Sequence, residues 1–196
     1  MRTKKIFGAL VVVLLAAWLL LILVSWLIAA AMPQSAVHSL LSNEGLRWLF
    51  GSLMQNLSTP VLPALLLVSM GWGCLDASGL LQLHSPTTYR QRFALRLVAI
   101  ELAVIVVALL LLTAIPHAPL LSATGVLFPS SFSDSLLPLV CIIVIITSLT
   151  YGYASGKFTS FQMLIDAPVA GIRKASPLFL LYVIAAELYA SYCFVF

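Results

Sequence analysis

Glu187 is the residue whose type and position carry the most chemistry, because it lies inside the last long apolar segment of the chain. A carboxylate near the middle of a bilayer costs several kcal/mol, so it must face protein or water, or hold a proton. On a helix, Glu187 shares one face with Ser191 and Phe194. Two interpretations stay open: a proton- or cation-coupled site, or a carboxyl that bonds to a neighbouring helix and fixes assembly.

Small residues mark faces where helices can approach each other closely. Ala186 and Ala190 form a small-xxx-small pair beside Glu187, and Gly71 and Gly73 interrupt an earlier apolar segment. Such residues allow close backbone approach between helices in membranes, so we expect helix packing at all four positions.

Two further acidic residues, Asp76 and Glu101, lie near the predicted cytoplasmic ends of apolar segments. We expect each of them to reach water or to pair with Arg92 or Arg96, as helix-end charges commonly do.

The histidines and cysteines indicate no metal site and no catalytic site. His38, His84 and His117 fall in three separate predicted loops, and each cysteine lies alone within an apolar block. No hydrolase, zinc-protease or nucleotide-binding motif is present. The sequence therefore predicts neither an enzyme nor a bound cofactor or metal.

The composition predicts an all-α membrane protein. Apolar residues make up 62% of the chain and charged residues only 8%, whereas soluble domains carry about 25% charged residues. The apolar residues come in blocks long enough to cross a bilayer, which predicts a single transmembrane domain over residues 1–196. The domain is a five-span helical bundle, with spans at about 6–32, 60–82, 97–115, 136–153 and 177–196.

Residues 36–57 predict an amphipathic helix, because the apolar side chains repeat at helical spacing and the charged ones lie elsewhere. It either lies at the membrane interface, with Trp48 at headgroup depth, or packs on the bundle as an extramembrane helix. The first span is too long for a signal peptide, whose apolar region has about 7–15 residues, so we expect it to be retained.

The basic residues predict the orientation. With a cytoplasmic N-terminus, Arg47 is the one Lys or Arg that faces the other side. This positive-inside bias places the chain in a bacterial inner membrane with its C-terminus in the periplasm. The net charge of +4 comes from these topology signals, so we expect no nucleic-acid partner. The expected partners are the lipid bilayer and either a second copy or another membrane subunit.

Three stretches, 40–81, 115–139 and 150–196, together resemble the p-aminobenzoyl-glutamate transporter (AbgT) family. The first resembles its EG-[LI]-RW helix and acid-x-SGL span, the second its IP-x-x-APL loop, and the third its YG-x-x-[TS]G helix end, cytoplasmic linker and AAQF span. The residues that match these motifs include Glu44, Gly45, Arg47, Trp48, Asp76, Ser78, Gly79, Tyr151, Gly152 and Gly156.

The resemblance implies ion-coupled transport of p-aminobenzoyl-glutamate or a related aromatic acid or drug. Glu187 replaces the glutamine of the AAQF motif, and Phe194 aligns with an aromatic residue that follows it. Family members are longer, with re-entrant hairpins and core helices that this sequence lacks. We therefore expect a short form that keeps mainly the framework helices. Three hypotheses follow: a miniature transporter, a non-transporting scaffold that binds a membrane partner, and a truncated reading frame.

Overall fold

The computed structural model describes residues 2–32, 34, 36–82, 88–114 and 131–196. These residues form seven α-helices and one short 3₁₀ helix, Leu80–Gln82. Five of the helices are long and apolar enough to cross a membrane, which confirms the all-α membrane class. The helices are α1 (Arg2–Ala31), α2 (Asn43–Gly51), α3 (Leu53–Leu57), α4 (Val61–Ser78), α5 (Tyr89–Ala114), α6 (Ser131–Ala154) and α7 (Phe161–Val195).

Two of the long helices begin well before the spans that hydropathy indicates. Helix α5 begins at Tyr89 rather than near residue 97, and α7 begins at Phe161 rather than near residue 177. Arg173 and Lys174, expected in a cytoplasmic linker, therefore lie on α7. The physical reason is that Lys and Arg are good helix formers, so their charge limits the depth of the membrane segment without ending the helix.

The segment predicted as one amphipathic helix over residues 36–57 is shorter and interrupted. Its N-terminal end is the cap at Ser42, whose hydroxyl accepts from the Gly45 amide at 3.0 Å. Such a cap satisfies one of the free amides of the first turn. Ser52 separates α2 from α3, so the segment folds as two short helices. Its position at the membrane interface stays a prediction.

The chain forms two compact units, and the boundaries between them fall within α4 and within α7. Unit 1 comprises Met1–Pro63 and Ser176–Phe196, and unit 2 comprises Ala64–Ala175. Each unit has its own packing and is described separately. The single transmembrane domain expected from the sequence stays a prediction.

In unit 1, α1 is tied to the segment before α2. The Ser25 hydroxyl accepts from the Leu40 amide at 3.3 Å and donates to the Ile22 carbonyl at 2.8 Å. Both Ser25 and Leu40 are almost completely buried. Gly45 lies against the same segment, because a Cβ there would come within 2.6 Å of the Leu40 Cα. The first span therefore contacts the segment before α2 at Ser25, near its C-terminal end.

In unit 2, α4 and the first half of α7 cross with their backbones in contact. A Cβ on Gly73 would lie 2.5 Å from the Gly171 amide nitrogen, and a Cβ on Gly171 would collide with the Ser69 carbonyl. Ser69 and Gly73 on α4 thus face Ala167 and Gly171 on α7, a small-xxx-small pair on each helix. Such pairs allow the close crossings found between membrane helices.

The helix ends of unit 2 carry basic side chains. Gly79 and Gly156 follow the ends of α4 and α6 with positive φ angles of 72° and 79°. The Lys157 ammonium lies over Gly79, and an Arg90 guanidinium nitrogen lies 3.2 Å from where a Cβ on Gly156 would be. Cations stabilise the C-terminal ends of helices. Lys157 and Arg90 therefore lie close to the ends of α4 and α6 at one side of unit 2.

Candidate functional site: the Glu187 face of α7

Glu187 is buried in unit 1, with only 4% of its surface exposed. Its Oε2 accepts a hydrogen bond of 3.4 Å from the Asn56 side-chain amide of α3. Its Oε1 is buried and has no hydrogen-bond partner among the described residues. Buried polar groups in proteins are normally hydrogen-bonded. The Glu187 Oε1 therefore needs a hydrogen-bond donor or a cation from outside the described residues.

The end of α3 is fastened to α7 next to this carboxylate. The Tyr182 hydroxyl donates to the Leu57 carbonyl at 2.8 Å and bonds the Thr59 hydroxyl at 2.7 Å. Because the phenol has one proton and a carbonyl can only accept, Thr59 is the donor in the second bond. Together with Asn56, these groups form a patch of oxygen and amide groups between α3 and α7.

The last turn of α7 carries aromatic rather than polar packing. The Phe194 ring stacks on the Trp48 ring with centroids 4.4 Å apart and an interplanar angle of 19°. His38 lies near the other side of Phe194 at 5.7 Å between centroids, and its amide donates to the Val195 carbonyl at 3.1 Å. The end of α7 is thus held between α2 and the segment before it.

Ser191 lies between the carboxylate and this aromatic packing. It is fully buried and its hydroxyl accepts from the Trp18 indole of α1 at 2.9 Å. The three residues singled out in the sequence, Glu187, Ser191 and Phe194, therefore all lie on the part of α7 that belongs to unit 1. Glu187 contacts α3, Ser191 contacts α1, and Phe194 contacts α2.

The arrangement can bind a proton or a cation, because its free group is a carboxylate oxygen and its neighbours are oxygen and amide groups. Hard cations prefer such oxygen ligands. In the described part of the chain, no cluster of three or more histidine, cysteine, aspartate or glutamate side chains could hold a metal ion. A single carboxylate beside neutral groups is the chemistry that the site offers.

The family-motif residues divide between the two units. In unit 1, Glu44 and Arg47 are exposed on α2, whereas Gly45 is buried and Trp48 stacks on Phe194. In unit 2, Ser78 and Tyr151 are almost fully buried, and Gly152 lies against the Phe158 ring. The family-motif residues of unit 2 thus lie at helix ends or in the packing between helices.

The four residues expected from the sequence to pack between helices differ from one another in their neighbours. Gly73 lies at the crossing of α4 with α7, and a Cβ on Gly71 would lie 3.6 Å from the Val144 side chain of α6. Ala186 and Ala190 are half-buried on α7. Packing at these last two positions stays a prediction.

The other two acidic residues have partners that the sequence did not indicate. Asp76 forms an ion pair with Lys174, rather than with Arg92 or Arg96. Glu101 accepts from the Thr150 hydroxyl of α6 at 3.3 Å, and its Oε2 is buried without a hydrogen-bond partner among the described residues. Glu101 is therefore half-buried with one buried oxygen, rather than a fully solvated helix-end charge.

Asn56, Thr59, Tyr182 and Thr150 were not identified in the sequence as functional residues. Each is a neutral polar residue beside or within an apolar segment, which is the signal that could have drawn attention to them. Their partners lie far away along the chain, so spacing alone could not pair them.

The model of the family described as "AbgT putative transporter family" matches residues 81–194. No curated protein and no solved structure matches the chain. The match covers more than half of the chain and includes the second resemblance stretch and most of the third, whereas nearly all of the first lies outside it. The chain belongs to the AbgT family of membrane transporters.

Proposed function

We propose that this chain carries out ion-coupled transport of p-aminobenzoyl-glutamate or a related aromatic acid, with Glu187 as the coupling site. The observation that carries the proposal is the buried Glu187 Oε1, which has no hydrogen-bond partner among the described residues of a membrane-spanning helix. Intramembrane carboxylates of this kind mark proton relays and ion pathways in transporters. The substrate class comes from the family resemblance.

The surroundings of Glu187 suit a site that gains and loses a positive charge. A single hydrogen bond of 3.4 Å from Asn56 is long and comes from a neutral group. A proton or a cation on Oε1 would satisfy the remaining oxygen and neutralise the carboxylate. We assign to Phe194, about two helical turns beyond Glu187, a contact with the aromatic ring of the substrate. We assign to Ser191, which lies between these two residues on α7, a polar contact with the substrate.

We further propose that the chain lies in a bacterial inner membrane with its N-terminus in the cytoplasm and its C-terminus in the periplasm. The support is the distribution of basic residues together with the helix ends of unit 2. Lys157 and Arg90 lie at the same end of that unit, beside Gly79 and Gly156. The positive-inside rule assigns such an end to the cytoplasm.

A second candidate function is a non-transporting scaffold, which binds a second copy or another membrane subunit. The observation that favours it is that the polar groups near Glu187 hold α3 against α7. The bonds from Asn56 to Glu187 and between Tyr182, Thr59 and Leu57 all fasten the same short helix. In that role, Glu187 supports packing and transports nothing.

Uptake by the purified full chain in proteoliposomes separates the two candidates. The measurement is accumulation of radiolabelled p-aminobenzoyl-glutamate with an imposed proton or sodium gradient and without one. We expect gradient-driven uptake by the wild type and its loss in Glu187→Gln. The matched control is Asp166→Asn, an equivalent change at an exposed acid of α7, which should keep the uptake. Wild-type uptake that Glu187→Gln leaves unchanged would contradict the site, and no uptake under either gradient would favour the scaffold.

A further inference from the structure

One exposed face of α5 combines basic, aromatic and apolar residues in a fixed order along the helix. Arg96 and the aromatic residues Tyr89 and Phe93 lie on this face near the start of the helix, and all three are exposed. Ile100, Val104, Val107 and Leu111 continue the face at helical spacing toward the C-terminal end. The opposite face of α5 packs against α6 through Ala94 and Val98.

The apolar part of this face forms a groove of about 470 Å³. The residues that line it are all apolar and all belong to α5: Ile100, Ala103, Val104, Val107, Ala108 and Leu111. The small side chains of Ala103 and Ala108 leave the space, and the larger side chains form its walls. Ile100 and Val104 are each 62% exposed, so the groove is open along its length.

The dimensions of the groove match one leaflet of a bilayer. From Ile100 to Leu111 the helix rises by about 16 Å at about 1.5 Å per residue. One leaflet contributes about 15 Å, half of a hydrocarbon core of about 30 Å. Arg96 lies one helical turn before Ile100, so a leaflet that covers the groove would place it at the depth of the lipid headgroups. The exposed Tyr89 and Phe93 lie in the same zone, where aromatic side chains are enriched.

We propose that this face of α5 binds one anionic glycerophospholipid, with its phosphate at Arg96 and an acyl chain in the groove. The basic group and the negatively charged headgroup are complementary, and basic residues at such boundaries attract anionic lipids. Arg92, on the same face, has an interaction of its own within the chain, so the site rests on Arg96. The site is independent of the transport proposed for Glu187.

Native mass spectrometry of the purified full chain tests the headgroup contact. The probes are phosphatidylglycerol and phosphatidylcholine with identical acyl chains, titrated into the same detergent. We expect the wild type to retain phosphatidylglycerol preferentially, and Arg96→Gln to reduce that preference by about fivefold, the effect of one basic residue near an anionic headgroup. The matched control is Arg47→Gln, at the exposed arginine of α2, which should leave the preference unchanged. Equal retention of both lipids, or an unchanged preference in Arg96→Gln, would overturn the site.

Photo-crosslinking tests whether an acyl chain occupies the groove. A phosphatidylglycerol with a photoreactive acyl chain should label residues 100–111 of α5 above the exposed residues of α1. Ala103→Leu, which fills the groove, should lower this labelling severalfold, whereas Gly8→Leu on α1, where nothing lies within 4 Å, should not. Labelling spread evenly over α1 and α5 would overturn the assignment of the groove to an acyl chain. A dimer of the chain that Ala103→Leu dissociates would also overturn it, because the groove would then be a protein interface.

Discussion

Unit 1 and unit 2 each contain a carboxylate on a membrane-spanning helix with one buried oxygen that has no hydrogen-bond partner among the described residues, but they surround it differently. In unit 1, the end of α7 that carries Glu187 is tied by polar and aromatic side chains to the short helices α2 and α3 and to α1. In unit 2, Glu101 has one hydroxyl partner, Thr150, and the unit is held by helices whose backbones touch. The contacts described for unit 2 are thus mainly close approaches between helix backbones, whereas those around Glu187 in unit 1 are mainly side-chain hydrogen bonds.

The difference in packing between the two units indicates which of them can change conformation and carry a functional site. Close packing of small residues gains its energy from van der Waals contact and tolerates little displacement. Hydrogen bonds between neutral side chains in membrane proteins are weak, on average about 0.6 kcal/mol, so they can exchange partners at modest cost. We therefore expect substitutions in unit 2 to affect folding most and substitutions around Glu187 to affect function most.

The largest effect is expected at the crossing of α4 with α7. Gly73→Ala should destabilise the protein by about 1–3 kcal/mol or prevent its accumulation, because the added methyl group meets the backbone of Gly171. Thermal stability in detergent, followed by size-exclusion chromatography, measures this. Gly71→Ala should have a small effect, since its nearest neighbour would be 3.6 Å away, and Gly8→Ala none. A stable Gly73→Ala would show that the backbones are not in contact.

The next largest loss of stability is expected when the hydrogen bond from Asn56 to Glu187 is removed. Asn56→Leu removes the described hydrogen-bond partner of this carboxylate and should destabilise the protein by about 1–3 kcal/mol. Gln55→Leu changes an exposed neighbour on the same helix and should be close to neutral. Equal stability of the two variants would mean that α3 does not depend on Glu187.

A double-mutant cycle of Asn56→Leu with Glu187→Gln measures the coupling between the two side chains. We expect about 0.6 kcal/mol, and at most about 1.7 kcal/mol, as for other hydrogen bonds between membrane helices. A coupling near zero would contradict the contact itself.

A smaller effect is expected at Glu101, and it compares the two carboxylates directly. Thr150→Val removes the described hydrogen-bond donor to Glu101 and should cost about 0.6 kcal/mol, with uptake unchanged. Thr147→Val on the same helix removes only hydrogen bonds to the Ile143 and Val144 carbonyls of that helix and should cost less. Loss of uptake in Thr150→Val without loss of folded protein would place a functional group in unit 2 as well.

The smallest effect is expected at the ion pair between Asp76 and Lys174, because both side chains are largely exposed. Lys174→Gln should lower thermal stability only slightly in low salt, and added sodium chloride should abolish the difference, since surface ion pairs are screened. A stability loss that persists in high salt would show that this pair is structurally important to unit 2.

Much of the architecture follows from the sequence because it depends on local composition. Long apolar runs specify the membrane class and the number of helices able to span, and five such helices are present among the described residues. The bounds of the spans stay a prediction. The family resemblance was confirmed over residues 81–194. For Glu187 the sequence left three alternatives, contact with protein, contact with water or a bound proton, and the structure shows it buried against protein. The roles of Glu187, Ser191 and Phe194 in transport stay predictions.

The tertiary structure decided which groups meet. Asn56 and Glu187 are far apart in sequence, as are Thr150 and Glu101, and Lys174 and Asp76. The sequence drew attention to Gly73, but its partner Gly171 emerged only from the crossing of α4 with α7. Hydropathy depends on each residue and its neighbours along the chain, so it locates the spans. Hydrogen bonds, ion pairs and close crossings depend on how distant helices are placed side by side, and that placement exists only in the folded chain.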